Sequence, residues 1–476
     1  MKNRTSLWVR FMSLLLAVAG IAGYAPVASA SLTVSNYGTD SSSCGSTTSP
    51  CRSISQAIEN AASGDTIWVG AGHYGDLNGD GNFDAPGSEH ATVFTSYSSY
   101  QACVICITKA VKIFSYNGAA VTTIQVGPNA ISPTTVYIAA NKVVFGAAGH
   151  GFTITGGNVN GLVVDSLKAG GATVSGNIDL KDGTGFTAVG SYPIGLDPGC
   201  PVLPPGYPPA CPPIFGIVLL SANQAIGNGT GFAVQSLGSN QMAGDTLQFV
   251  LQDNLALGAG AGFSVSPGFY AECDDCDDAN TNAGNVTTLH NVAANSGVGF
   301  VLLGAGKVTD NVATNNSAAG FVITNVVTFA RNSAIGNAGP GVIVQFLIPS
   351  PFSGDKTPGP VDMFQNSFFG NDRNRPPLSL GEFSPGGFSP YDPGPSAHCG
   401  VLNVGEVVEA NHVFFAAPPS PPPITNIQAA DNFWGSAQGP QPNGPGDAAG
   451  GACDQNGGVT AVKPFATRST GIAPHP

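Results

Sequence analysis

The hydrophobic and polar residues in the centre of the chain follow a short, regular repeat. Three copies begin at Asn291, Asn311 and Asn332, at a nearly constant spacing, and each has a glycine followed by an apolar residue in its second half. Looser copies begin at Asn223 and Asn254. Short apolar stretches at this interval, separated by turn residues, predict that each repeat forms one coil of a parallel β-solenoid.

A single coil cannot bury its apolar side chains, so the coils have to stack around one shared interior. Equivalent residues of stacked coils lie roughly 4.8 Å apart, which allows an Asn at a fixed turn to hydrogen-bond to its counterparts above and below. We expect this ladder to run from Asn223 through Asn366 to Asn411. The predicted fold is all-β, a parallel β-helix with inserted loops. A leucine-rich repeat does not fit, because the chain has no regular Leu positions.

The region before the repeats predicts a helix and then a strand. Apolar residues recur at helical spacing over residues 54–61, and a strand pattern follows over 66–69. Residues 51–74 resemble the opening of secreted right-handed parallel β-helix proteins of the pectate-lyase-like type, in which a short helix caps the N-terminal end of the solenoid. Residues 431–435, Asp-Asn-Phe-Trp-Gly, resemble their closing segment. The resemblance implies the fold and specifies no reaction.

The start of the chain is typical of a secretory signal peptide. It has basic residues, an apolar run over residues 11–22 and a small-x-small sequence that ends at Ala30. We therefore expect a protein secreted to the extracellular space or the periplasm, without membrane insertion. The predicted divisions are a signal peptide at 1–30, an N-terminal cap with the first strand at 31–75, a β-helix at 76–470 with insertions at 197–213, 267–284, 347–360 and 372–398, and a tail at 471–476.

Charge limits the partners of the mature chain. After Ala30 it keeps all 29 acidic residues and 13 of the 16 basic ones, so its net charge is 13 − 29 = −16. Phosphate binding needs clustered Lys and Arg, so this charge argues against nucleic acid and equally against an anionic membrane surface. We expect a monomer whose partner is a polysaccharide or a cell-surface glycan.

Ten cysteines in an exported protein predict disulfide bonds. An alternative is that the two Cys-x-x-Cys pairs bind zinc, although they lie far apart in the chain and no His completes a zinc pattern. The expected bonds join near neighbours in the sequence: Cys44–Cys51, Cys103–Cys106, Cys200–Cys211, Cys273–Cys276 and Cys399–Cys453.

The first candidate metal site is a calcium-loop-like segment. Oxygen-bearing residues occupy positions 1, 3, 5 and 9, and glycine occupies position 6, as in the first nine residues of an EF-hand loop. Position 12 is Gly87, and Glu89 follows two residues later. The alternative is an ordinary polar turn, but we favour Ca²⁺ in a structural role beside the N-terminal cap. The candidate ligands are Asp76, Asn78, Asp80, Asn82 and Asp84.

The second candidate is a cluster of four carboxylates within a few residues: Asp274, Asp275, Asp277 and Asp278. These groups repel one another unless a cation lies among them. The cluster is therefore either a second calcium site or a solvated acidic loop.

The residues that precede the ladder Asn residues form the third candidate site. Strand side chains alternate, so these residues point outward if the Asn residues point inward. The alternative is that any outward column is polar and that chance supplies its His and Arg. Otherwise the centre of the column combines a base, a cation site and a substrate-orienting group. In order, the column contains Ala222, Asp253, His290, Asp310, Arg331, Gln365 and Ala410.

Two insertions are expected to stack beside one another. The extensions between Asn254 and Asn291 and between Asn332 and Asn366 enter at the same turn of the coil, where they could wall a groove.

Elsewhere, Gly149-His150-Gly151 matches a tripeptide of polygalacturonases, but the accompanying motifs of that family are missing. We interpret His150 as a turn residue.

The leading hypothesis is a secreted calcium-binding β-helix that binds extracellular polysaccharide and cleaves it as a lyase. In that mechanism a cation neutralises the uronate carboxylate and a base removes the adjacent proton. We expect Arg331 as the base, Asp253 and Asp310 as calcium ligands, and His290 as an auxiliary group. A hydrolase with paired carboxylates, a non-catalytic adhesin or glycan-binding solenoid, and an assembly factor that holds another protein stay open as alternatives.

Overall fold

The computed structural model describes residues 30–77, 88–89, 93–96, 99–127, 134–156, 160–189, 215–236, 246–267, 286–304, 306–324, 326, 328–347, 361–373, 398–407, 426–454 and 459–469. Residues 1–29 of the predicted signal peptide and the predicted tail lie outside these ranges. So do the four predicted insertions, except for a few residues at their ends.

The chain forms a right-handed parallel β-helix, as predicted. Each regular coil contributes one strand to each of three sheets, and the chain passes from the first sheet to the second and then to the third. In the described ranges, the first sheet has thirteen parallel strands: β1 Ser31–Val34, β2 Thr66–Val69, β6 Lys112–Ser115, β9 Val143–Phe145, β12 Ala172–Ser175, β15 Phe215–Ser221, β18 Thr246–Gln252, β21 Val286–Leu289, β24 Lys307–Thr309, β27 Thr328–Ala330, β30 Asp362–Phe364, β33 Asn426–Gln428 and β34 Val459–Ala461.

The other two sheets complete each coil. Among the described residues, the second sheet has ten short strands: β3 Gly72–Gly75, β7 Thr122–Gln125, β10 Thr153–Thr155, β13 Ile178–Leu180, β16 Gln224–Ile226, β19 Leu255–Leu257, β22 Val292–Ala294, β25 Val312–Thr314, β28 Ser333–Ile335 and β31 Ser367–Phe369. The third has eleven, of which β4 pairs antiparallel with β5: β4 Val93–Ser96, β5 Ser99–Ile107, β8 Thr134–Ile138, β11 Asn160–Asp165, β14 Thr184–Val189, β17 Thr230–Ser236, β20 Ala261–Pro267, β23 Val298–Leu303, β26 Phe321–Thr324, β29 Val342–Leu347 and β32 Val401–Val407.

The predicted helix covers the N-terminal end of the solenoid as α1, Ile54–Asn60. Its buried side follows the predicted spacing, and it ends before Gly64. The Ser53 hydroxyl accepts a hydrogen bond from the Gln56 amide at 3.1 Å. The buried Glu89 carboxylate accepts from the amides of Ile54 and Ser55 at 2.9 and 2.8 Å, so a long-range carboxylate satisfies the first turn of the helix.

Two shorter helical segments are α2, Ser166–Ala169, and a 3₁₀ turn, Gly451–Cys453. In the ranges given above, we find no helix that is both long and apolar enough to cross a membrane.

The interior is a continuous stack of side chains that each coil repeats. Five phenylalanines of successive third-sheet strands stack with centroids 4.6–5.1 Å apart and planes within 11° of parallel: Phe186, Phe232, Phe263, Phe300 and Phe321. The glycine before each of these residues allows the backbones to approach. At Gly320, a Cβ would lie 2.6 Å from the Gly341 carbonyl oxygen. This explains the repeated glycine–apolar step of the sequence.

The predicted asparagine ladder is present between the first and second sheets. Each side-chain amide donates to the Oδ1 of the next Asn, as Asn291 does to Asn311 at 3.0 Å and Asn311 does to Asn332 at 3.0 Å. The prediction was wrong at the C-terminal end, because the next rung after Asn366 is Asn432, to which Asn366 donates at 2.9 Å. Asn411 lies outside the described residues. Two long connections separate these rungs, so counting residues no longer counts coils.

A second ladder at the next turn was not predicted. It runs from Ser296 through Asn316, Asn337 and Asn371 to the carboxylate of Asp447. Burial raises the pKa of Asp447, although the amides of Gly370 and Asn371 donate to its carboxylate and oppose that rise.

Three of the five predicted disulfides are formed: Cys44–Cys51, Cys103–Cys106 and Cys399–Cys453. The bond between Cys103 and Cys106 excludes the zinc alternative for that pair. Cys200, Cys211, Cys273 and Cys276 lie outside the described residues.

Candidate functional site

The charged column lies at the turn between the first and second sheets. Asp253, His290, Asp310 and Arg331 each follow a first-sheet strand and precede a ladder Asn, and each has a left-handed backbone with φ between 54° and 60°. Non-glycine residues rarely adopt this conformation. Here the buried Asn behind each residue fixes the turn, so the four side chains project outward from successive coils, about 4.8 Å apart.

The four side chains form one chain of contacts. The Arg331 guanidinium donates from Nε to Asp310 Oδ1 at 2.8 Å and from Nη2 to Asp310 Oδ2 at 2.6 Å. His290 lies between two carboxylates, with Nδ1 3.5 Å from Asp253 Oδ1 and Nε2 3.9 Å from Asp310 Oδ2. The imidazole is 43% exposed, so it is accessible to a ligand from solvent.

This geometry changes the roles that the residues suit. The hydrogen bonds to Asp310 raise the pKa of Arg331, so its guanidinium holds its proton more firmly and is poorly suited to the role of base. Both carboxylate oxygens of Asp310 accept from Arg331, so a cation bound by Asp310 would have to share these oxygens with the guanidinium. The two carboxylates beside the His290 imidazole can stabilise its protonated form, so the geometry suits His290 better than Arg331 to the role of base.

The connections from the third sheet to the first sheet differ in length along the solenoid. Those leading to β15, β18, β21, β30 and β33 are long, whereas only residues 304–306 and 325–327 separate β24 and β27 from the preceding third-sheet strands. The two insertions that we expected at one turn, 267–284 and 347–360, lie almost wholly outside the described residues, and the strands on either side of them are β20 and β21 and β29 and β30. The two coils with short connections carry Asp310 and Arg331. The coils of Asp310 and Arg331 therefore lie between coils that have inserted segments. Those segments join the first sheet at the edge opposite to the column.

Lys307 is a further candidate that the sequence reasoning missed. It points outward from β24, is exposed, and pairs in register with Thr328 of β27. It precedes Asp310 by three positions, so a cationic side chain projects from the sheet beside the column. The polar–apolar order of Lys307 and Val308 could have identified it, since Val308 is buried and Lys307 is exposed.

The structure describes one of the five proposed ligands of the first calcium site. Asp76 is fully buried directly after β3, and its amide donates to the Gln125 carbonyl at 3.1 Å. Asn78, Asp80, Asn82 and Asp84 lie outside the described residues, as do Asp274, Asp275, Asp277 and Asp278 of the second. Glu89, two residues beyond loop position 12, accepts hydrogen bonds from backbone amides at the start of α1. In the described residues, Asp40, Cys44 and Cys51 cluster at metal-ligand distances, but the two cysteines are bonded to each other.

Two further carboxylates lie inside the solenoid, where no sequence motif indicated them. Asp179 of β13 and Asp182 are buried, and Asn228 Nδ2 donates to Asp179 Oδ1 at 2.5 Å. Burial and the neighbouring charge of Asp182 raise the pKa of Asp179 well above its ordinary value. Asp179 pairs in register with Ala225, so a carboxylate occupies a position that is apolar in the next coil.

No family model matches the chain, and no curated protein matches it. Among solved structures, the chain is similar to the A-module of the mannuronan C-5 epimerase AlgE4 of Azotobacter vinelandii. The two share 13% identity with a TM-score of 0.31, over 87% of this chain and 90% of that chain. At this level of identity and superposition, the similarity does not bear on the site.

Proposed function

We propose that the protein is a secreted β-helix that binds an acidic polysaccharide and cleaves it by β-elimination. The observation that carries this proposal is the position of His290, whose imidazole lies between the carboxylates of Asp253 and Asp310 on an exposed face. A base that lies between two anions, on a part of the surface that also carries the cations Arg331 and Lys307, suits proton removal next to a uronate carboxylate.

The roles follow from charge and contact. Arg331 and Lys307 attract the uronate carboxylate, and its neutralisation weakens the adjacent C5–H bond. His290 takes the C5 proton, the C–H electron pair forms the C4–C5 double bond, and the C4–O bond breaks. The departing oxygen then takes a proton from water or from the imidazolium. Asp253 and Asp310 stabilise that imidazolium.

Calcium binding belongs to the proposal as a structural function of residues 76–84. The position of Asp76 supports it, because this buried carboxylate begins the segment and Ca²⁺ prefers carboxylate oxygens as ligands. Export is proposed from the leader-like first thirty residues, and the three disulfides support it.

The test is a depolymerisation screen of the mature protein against uronate and neutral glycans. Unsaturated products are followed by their ultraviolet absorbance, and new reducing ends report cleavage of either type. His290→Asn removes the imidazole and keeps a residue that tolerates the left-handed turn. Gln365→Ala, one coil beyond Arg331 in the same column, is the matched control. Product formation that His290→Asn leaves intact would exclude this site.

A non-catalytic glycan-binding protein is the second candidate. The observation that favours it is that the Arg331 guanidinium is already paired with Asp310 within the protein, as in a column that only stabilises its own turns. Glycan binding without any new product over the whole panel would select this function.

A further inference from the structure

A cluster of four aromatic rings lies on the outward face of the first sheet, near the N-terminal end of the solenoid. Trp68 of β2 is at its centre. The Trp68 ring centroid lies 5.3 Å from Phe114, 5.0 Å from Tyr116 and 5.5 Å from His150, and the Tyr116 ring is stacked within 21° of parallel. We call these four residues the aromatic platform.

The aromatic platform lies at the surface of the solenoid. The side chains of Trp68, Phe114 and His150 are half-buried, and Tyr116 is 46% exposed. His150 is held in place, because its Nδ1 lies 2.9 Å from the Ser115 carbonyl oxygen. Aromatic rings that cluster at the surface, with part of each ring accessible to solvent, are typical of binding sites.

The charge beside the platform indicates its ligand. Lys112 lies two residues before Phe114 on β6, so both project outward from the same face of the strand, and Lys112 is exposed. The C–H face of a pyranose ring packs well on aromatic rings, and an ammonium group pairs with a carboxylate. We propose that the aromatic platform with Lys112 is a second binding subsite, which takes one uronate residue of an acidic polysaccharide.

The first sheet connects this subsite to the charged column. It runs without interruption from β2 through β6, β9, β12, β15, β18 and β21 to β24, the strand that carries Lys307. Seven interstrand spacings of about 4.8 Å separate the two, or roughly 34 Å. Only an extended polymer reaches both, so the platform anchors a long chain whose other residues pass the column. This inference takes the kind of polymer, an acidic polysaccharide, from the proposed function. It does not depend on whether the protein cleaves that polymer.

Tryptophan fluorescence tests the platform directly. The chain has three tryptophans. Trp8 lies in the predicted signal peptide and Trp434 is fully buried, so a ligand-induced change in the mature protein reports Trp68. The probes are a galacturonate hexamer, a mannuronate hexamer and cellohexaose, with affinities measured in parallel by calorimetry.

We expect at least one uronate hexamer to change the emission of the wild-type protein and not that of Trp68→Phe. Trp68→Ala and Tyr116→Ala should each weaken its binding roughly tenfold, the loss typical of one truncated aromatic anchor. Lys112→Gln should weaken uronate binding and leave cellohexaose unaffected. Lys142→Gln, an exposed lysine of a neighbouring turn, is the control. Tyr116 is the most exposed ring, so its variant keeps the test valid if Trp68→Ala fails to fold.

The outcomes separate this inference from the proposed function. If Trp68→Ala and Tyr116→Ala bind the hexamers as tightly as wild type, the platform is not a subsite, and the column is unaffected. If the platform variants lose affinity while His290→Asn leaves product formation unchanged, the platform is a binding subsite and the column is not the catalytic site. If the wild-type protein binds none of the three hexamers, both proposals are wrong.

Discussion

Asp310 and Arg331 belong to adjacent coils and meet through two parallel hydrogen bonds. Neither residue has its partner within its own turn. The register of the solenoid brings them together, because each occupies the same left-handed position one coil from the other. The position of this pair therefore depends on the asparagine ladder behind it, and the position of His290 depends on the ladder in the same way.

The Asp310–Arg331 pair should make a small contribution to stability. Arg331 is 42% exposed and Asp310 is 11% exposed, so solvent screens the attraction, and the expected coupling is about 0.5–1 kcal/mol. A double-mutant cycle with Asp310→Asn and Arg331→Gln, followed by urea denaturation at low and high salt, measures it. A coupling that is unchanged by about 1 M salt would contradict an electrostatic origin, since the Debye length is then only about 3 Å.

Loss of the imidazole should remove turnover and preserve binding. His290→Asn is expected to lower kcat by roughly 10²–10⁴, the usual contribution of a general base, and to change the affinity for uronate hexamer little. Asp253→Asn, which removes one of the two flanking carboxylates, should have a smaller effect. Steady-state absorbance assays combined with calorimetry separate the two parameters. Equal losses of affinity and turnover would point to misfolding, which circular dichroism checks.

The ladder should be far less tolerant of substitution than the column. The Asn311 side chain accepts from the amide and the side chain of Asn291 and donates to Asn332, all inside the protein. Asn311→Ala leaves these groups unsatisfied and should lower the free energy of unfolding by about 3 kcal/mol. Asn315→Gly, at an exposed left-handed turn nearby, is the control and should be nearly neutral. Comparable losses in both variants would contradict the role of the ladder.

The buried carboxylates predict that stability falls as the pH rises. The pKa of Asp179 is raised in the folded state, so the unfolded chain loses this proton first, and folding becomes less favourable as the pH rises through the raised pKa. Burial also raises the pKa of Glu89 and Asp447, which adds to the same trend.

Asp182→Asn isolates the contribution of the Asp179 pair. It removes the neighbouring charge and should stabilise the protein more at about pH 8 than at acidic pH, because the raised pKa of Asp179 makes the repulsion between the two carboxylates grow as the pH rises. Thermal unfolding across this range checks it. A variant that is destabilised at both pH values would show that Asp182 is needed as an anion, for example as a cation ligand.

Removal of calcium should loosen the N-terminal cap. If residues 76–84 bind Ca²⁺, a chelator will lower the melting temperature of the wild-type protein, and added Ca²⁺ will restore it. Asp80→Asn should abolish this dependence, whereas Asp277→Asn should leave it intact. A chelator effect that Asp277→Asn removes and Asp80→Asn retains would move the site to the second acidic segment.

The repeat was sufficient to predict a parallel β-solenoid, because a solenoid uses the same local interactions in every coil. The spacing of Asn291, Asn311 and Asn332 predicted the stacking, the ladder and the outward column without any long-range information. Prediction failed where that periodicity ends. Asn432 replaced Asn411 as a rung because long connections intervene, and the second ladder was missed because Ser and Asp replace Asn at its two ends.

The candidate site was predictable in position but not in role. Sequence order placed His290 between Asp253 and Asp310, but only side-chain geometry showed that Arg331 is bound to Asp310. The aromatic platform was missed for a different reason. Trp68, Tyr116 and His150 come from three coils at the irregular N-terminal end, where no repeat aligns them.

The left-handed turn residues have one consequence for how such a protein can change over evolutionary time. Each column residue contributes only its side chain to the surface, while the Asn behind it maintains the backbone. Asp, His, Arg, Gln and Ala already occupy this position in the one chain with nearly the same φ. The side chains of the outer face can therefore be substituted one coil at a time with little loss of stability. Closely related β-helices can diverge in the ligand that they bind while they keep their architecture.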